Sequence, residues 1–183
     1  KDEPKSESKV VTETVLTPEQ QMAAFTVTEG YEMNLFASEV EGVAKPTQFS
    51  WDERGRLYVA CSPTYPQTMP GVKPSDFILV LEDTNEDGVA DKQTVFYQGR
   101  DIDSIHGLCV LGNRVIVSAG DKVMNFYDDN DDLKSDRKDV MFSGIAGTQH
   151  DHGIHAFIFG PDGKLYFNFG NSGKQLKDKD GKV

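Results

Sequence analysis

The sequence predicts an all-β protein, a β-propeller, of which it holds about two and a half blades. Three observations predict this. First, one hairpin pattern is written three times, as "FSWDERGRLYVAC" (49–61), "LCVLGNRVIVSAG" (108–120) and "FIFGPDGKLYFNFG" (157–170). Each has an apolar strand, a tight turn carrying Gly55, Gly112 or Gly163, a basic residue (Arg56, Arg114, Lys164), and a β-branched or aromatic strand. Second, "FILVLEDTNEDGVADKQTVFYQG" (77–99) recurs 45 residues later as "KVMNFYDDNDDLKSDRKDVMFSG" (122–144). The two copies agree at Asp83/Asp128, Asn85/Asn130, Asp87/Asp132, Asp91/Asp136, Val95/Val140 and Gly99/Gly144. Third, no long helical pattern interrupts them. A hairpin followed by two further strands, repeated every ~45–60 residues, is the period of propeller blades.

In chain order, residues 1–15 ("KDEPKSESKVVTETV") are charged and poor in large apolar side chains. Such a segment cannot bury enough surface to offset its ordering entropy and reads as a disordered, solvated tether. The domain is read as residues 16–183. A short helix is signalled by Thr17 as cap, Pro18 at the first helical position and Gln20 completing a capping box ahead of "QMAAF". Beyond it the chain reads as β throughout, beginning with the alternation of Tyr31, Met33 and Leu35. Two blades and the opening hairpin of a third follow, where closure needs about four to eight blades. The first residue, Lys1, and the polar end from Gln175 to Val183 suit part of a larger protein.

A net charge of −11 excludes nucleic acid as a partner, because a phosphate backbone is drawn to clustered Lys and Arg. No run approaches the roughly 18 apolar residues of a membrane span. Cys61 and Cys109 each lie in an apolar strand, where a small buried thiol is the ordinary reading and a disulfide the alternative.

Two constellations can carry chemistry. In "DTNEDGVAD", Asp83, Asn85, Asp87 and Asp91 fall at positions 1, 3, 5 and 9 of an EF-hand-type loop, with Gly88 at the turn position 6. Alternating short oxygen-bearing side chains on a curved loop suit calcium, although Thr94 stands where a bidentate Glu is usual; an acidic β-turn is the alternative. Asp128, Asn130, Asp132 and Asp136 repeat the spacing, with Leu133 in place of the glycine. The second constellation is His150, His152 and His155, in which a transition metal is conceivable. Strand alternation puts His150 and His152 on one side and His155 on the other, against a single ion held by all three. His155 also matches His106 in the preceding hairpin ("IHAFIF" against "IHGLCV") and Thr47 in the first, so a hydrogen-bonded structural role and a functional one both stand for this pair. The loop "SPTYPQTMPGVKPSD" (62–76) is stiffened by prolines and offers Tyr65 for stacking on a sugar ring.

"DHGIHAFIFGPDGKLYFNFGNSG" resembles the segment that carries the catalytic histidine in soluble quinoprotein glucose dehydrogenases and sorbosone-type dehydrogenases, where an Asp-His pair precedes a Gly-Pro-Asp hairpin by the same interval. More of the chain, about residues 16–173, resembles the membrane-bound dehydrogenase domain of large secreted proteins of planctomycetes, verrucomicrobia and bacteroidetes. The resemblance implies a six-bladed propeller with pyrroloquinoline quinone (PQQ) as cofactor and His152 as general base, oriented by Asp151. His155 and His106 become cofactor-side residues at the channel mouth. It further implies a sugar or other alcohol as substrate, a downstream cytochrome c domain or other electron acceptor, and a periplasmic or extracellular protein anchored through a lipid-linked tether. The arginines and lysine that hold the quinone in the sugar dehydrogenases belong to later blades. A non-catalytic, calcium-stabilised propeller that binds a glycan or partner protein is the competing reading.

Overall fold

The computed structural model describes residues 15–66, 69–73, 75–144, 153–170 and 176–183. The chain divides into two compact units, residues 1–35 and 36–183. In the first, helix α1 (Pro18–Ala24) starts as its sequence dictates. The Thr17 hydroxyl accepts from the Gln20 N–H at 3.3 Å, and the Gln20 side chain accepts from the Thr17 N–H at 2.9 Å. The strand expected at Tyr31, Met33 and Leu35 does not form. All three side chains are exposed, and an alternating pattern without a partner backbone has neither ladder bonds nor a buried face to hold it.

In the second unit the three hairpins and the 45-residue repeat resolve into antiparallel sheets. Strands β1 (Pro46–Trp51), β2 (Leu57–Cys61), β3 (Phe77–Glu82) and β4 (Lys92–Gln98) form a four-stranded sheet in that order. Strands β5 (Ile105–Leu111), β6 (Arg114–Ala119), β7 (Lys122–Tyr127) and β8 (Arg137–Ser143) repeat it. The hairpin of β9 (Ile154–Phe159) and β10 (Leu165–Phe169) opens a third. The polar end adds one feature the sequence does not announce: β11 (Lys177–Asp178) pairs with the outer edge of β8.

The first two sheets have both faces covered, as blades do. On the face between blades 1 and 2, Tyr58, Ala60, Ile78, Val80 and Phe96 meet Leu108, Val115, Val117, Met124 and Phe126. The alternate residues of blade 2, Cys109, Ile116 and Val123, meet Ile154 and Phe157 of the third. The other face of blade 1, with Val59, Cys61, Leu79 and Leu81, lies under Phe36, Ala37, Val43 and Ala44. Central strands buried on both faces read as continuous apolar runs, as "LYVAC", "FILVL" and "RVIVSA" do. Both cysteines are free, buried thiols whose pKa burial pushes up.

The first strands of successive blades, β1, β5 and β9, pack side by side as the innermost strands. An edge strand exposes unpaired amides, and here the neighbouring blade's side chains satisfy them. Gln48 Oε1 accepts from the Leu108 N–H at 3.2 Å, and the Ser50 hydroxyl accepts from the Val110 N–H at 3.4 Å. Thr47 donates to the Ile105 carbonyl at 2.8 Å, and Ser118 donates to the Ile154 carbonyl. Stacked blades whose inner strands are stitched to one another form a propeller fragment.

Candidate functional site

A cleft of about 380 Å³ opens at one end of the inner strands, lined by Lys45, Pro46, Thr47, Tyr65, His106 and His155. Its position follows from a repeated irregularity. In β1, Pro46 pairs with Cys61 and Gln48 with Ala60, so Thr47 is the unpaired residue of a bulge. In β5, Ile105 pairs with Ala119 and Gly107 with Ser118, so His106 is the corresponding extra residue. A bulge re-aims one side chain and increases local twist. Each is preceded two residues earlier by a non-glycine residue with positive φ, Lys45 at 43° and Ser104 at 53°. In β9, His155 pairs with Asn168 and the irregularity falls just after it, where Ala156 has φ 55°. The equivalence of Thr47, His106 and His155 in the sequence is therefore an equivalence in space.

The two imidazoles lie 4.8 Å apart between ring centres at an angle of 52°. His106 is buried and His155 partly buried. Tyr65, on the loop between β2 and β3, stands edge-on to His106 at 6.0 Å and 79° and is 43% exposed. Lys45 donates to the Pro63 carbonyl at 3.3 Å, tying the cleft's cation to the base of the same loop. The corresponding connection in blade 2, between β6 and β7, is only Gly120 and Asp121. The 62–76 loop is thus an insertion that gives the cleft one of its walls.

That loop is pinned by a residue which motif reading passes over. Asp76 is completely buried. Its Oδ1 accepts from the Thr64 N–H at 3.1 Å and the Thr64 hydroxyl at 2.6 Å. Its Oδ2 accepts from the Ser62 hydroxyl at 2.7 Å and the Ser104 N–H at 2.6 Å. The only hint in the sequence is the polar alternation of Ser62 and Thr64 facing "PSD" at the loop's far end.

The two acidic loops lie at the β3–β4 and β7–β8 turns and share one construction. Asp83 accepts from the N–H groups of Asp87 and Gly88, as Asp128 does from Asp132 and Leu133. Glu86 and Asp131 both have φ 61°. Leu133 takes the glycine's left-handed conformation at φ 64°, and its side chain is buried in the core between blades 1 and 2. The loops differ in their surroundings. In the second, Arg54 pairs with Asp131 at 2.6 Å and Arg137 with Asp129 at 2.6 Å, holding both carboxylates below their ordinary range. Among the described residues, no three His, Cys, Asp or Glu side chains are grouped to hold a metal ion. In the first loop the donor set is entirely oxygen, the chemistry a hard divalent cation takes.

His150, Asp151 and His152 lie outside the described residues; the structure resumes at Gly153, one residue before β9. Of the residues singled out in the sequence, the structure brings together His106, His155, Thr47 and Tyr65, and adds Lys45. It keeps the acidic loops at turns between outer strands.

A solved structure, described as the holo form of the pyranose dehydrogenase PQQ domain from Coprinopsis cinerea, is similar at 20% identity with a TM-score of 0.47. The similarity covers 62% of this chain, which spans about a quarter of that one (25%). No curated protein matches the sequence. A family model described as a domain of unknown function, DUF7133, matches residues 17–183, and the chain belongs to that family.

Proposed function

We propose that the cleft is the ligand site of a quinoprotein-type propeller that oxidises a sugar or other alcohol, with His152 as general base. The observation that carries the reading is the convergence of Lys45, Tyr65, His106 and His155 on one cleft at the end of the inner strands. A cation, imidazole N–H donors and an aromatic wall in a concavity of this size suit a flat, anionic ring system such as PQQ. When bound, PQQ supplies a two-electron quinone acceptor, an oxidising chemistry that no side chain provides.

The chain's own residues do the rest. Lys45 would pair with a carboxylate of the bound group, the imidazoles of His106 and His155 would donate hydrogen bonds to it, and the Tyr65 ring would form an apolar wall. His152 accepts the substrate's hydroxyl proton, which an imidazole neutral near pH 7 can do, and Asp151 orients it. A periplasmic or extracellular location and a cytochrome c or other electron acceptor belong to the same reading.

Calcium enters it at the 83–91 loop, through Asp83, Asn85, Asp87 and Asp91. In the 128–136 loop, with Asp128, Asn130, Asp132 and Asp136, Arg54 and Arg137 already supply positive charge.

The test is PQQ-dependent dye reduction over a panel of sugars and alcohols. Expected is activity that falls on the order of a hundredfold or more in His152→Ala. Undiminished activity in that variant contradicts the base assignment. Sugar binding without dye reduction favours a non-catalytic glycan-binding propeller, to which the half-exposed Tyr65 ring is also suited.

A further inference from the structure

Asp76 is a carboxylate taken wholly out of water, a costly placement unless its hydrogen bonds serve something. Its two oxygens together link the two walls of the cleft. Oδ1 holds Thr64, the residue before Tyr65. Oδ2 holds the backbone N–H of Ser104, two residues before His106, together with the Ser62 hydroxyl at the root of the loop. Ser104 sits at φ 53°, a conformation that persists only where the surroundings over-determine it. The bond to Asp76 is one such constraint, and the bulge that aims His106 follows directly.

We propose that Asp76 is a positioning residue of the cleft. It fixes the Tyr65 wall against the His106 wall and so sets the width available to a ligand ring. The proposal rests on the reading of the cleft as the binding site, and it adds a residue that touches no ligand. Short-range geometry of this kind matters because a displacement of about 1 Å is enough to weaken a site built for one ring.

The experiment uses the full chain with isotope-labelled tyrosine and histidine rings, followed by NMR, and PQQ as the binding probe. In Asp76→Asn one acceptor oxygen becomes an NH2 group, so the single carbonyl oxygen left cannot serve both the Thr64 and the Ser104 N–H groups and the link between the walls is broken. Expected are shifts of both the Tyr65 and His106 ring signals, an unmoved Tyr127 signal, and PQQ affinity lower by about tenfold. Thr64→Val, a milder change that keeps the carboxylate, should move Tyr65 and leave His106 in place; it decides the matter if Asp76→Asn does not fold. A lowered melting temperature with both rings unmoved overturns the proposal and leaves Asp76 a structural anchor. Should the parent bind no PQQ, the quinone reading fails, while the ring signals still judge the positioning role.

Discussion

Gly107 in β5 shows how single residues set the spacing between blades. A Cβ built there would lie 2.5 Å from the Phe157 ring of the third blade, so only glycine lets β9 approach β5 this closely. Gly107→Ala should therefore destabilise by about 1–3 kcal/mol through overpacking, read from the denaturant midpoint. Gly55 has open space around its missing Cβ but φ of +76°, and Gly55→Ala should cost only about 1–2 kcal/mol of backbone strain. Tyr58 gives a pH signature. Burial, with the neighbouring carboxylates Asp52, Asp128 and Asp131, pushes its phenol up to about 12 against an opposing pull from Arg56. The folded state thus holds the proton more tightly than the unfolded chain. Its contribution is complete below about pH 10 and is lost as pH rises through about 12. Unfolding titrations should show this alkaline slope in the parent and a shallower one in Tyr58→Phe.

At the scale of elements, the acidic loops are twins in backbone and differ in charge environment, since only in the second do arginines pair with carboxylates of the loop itself among the described residues. If the 83–91 loop binds calcium, saturating it at a hundred times Kd stabilises the fold by about 2.7 kcal/mol. Melting with calcium, against melting with chelator, should separate for the parent and for Asp128→Asn and coincide for Asp83→Asn. An unchanged melting temperature in the parent contradicts the calcium reading. The blades themselves were legible because a repeat prints the same strand, turn and register more than once: β3–β4 and β7–β8 begin 45 residues apart, as the sequence predicts. The equivalence of Thr47, His106 and His155 was legible for the same reason. The bulges beneath it were not: Gly107 follows His106, but no glycine stands beside Thr47, so the two bulges share no sequence mark. Asp76 was hidden because its partners lie 12, 14 and 28 residues away, a set that only tertiary structure assembles. The segment around Tyr31 misled because alternation signals a strand only where another strand pairs with it.

For the whole molecule, stacking of blades does three things together. It buries both faces of the first two sheets, it converts exposed inner edges into inter-blade hydrogen bonds, and it brings equivalent ends of successive inner strands to one cleft. Ion pairs link the β1–β2 turn and the segment before β5 to the outer half of blade 2, Arg54 to Asp131 and Lys138 to Asp101. In a chain of net charge −11, the cleft's described lining holds Lys45 and two histidines and no carboxylate. On the proposed function, the positive charge of Lys45 in a described lining without carboxylates is what an anionic ring would meet. Equilibrium dialysis of PQQ against the protein tests this most directly. The account predicts saturable binding that weakens by about tenfold or more in both Lys45→Ala and His155→Ala; absence of saturable binding, or binding that neither substitution changes, would contradict it.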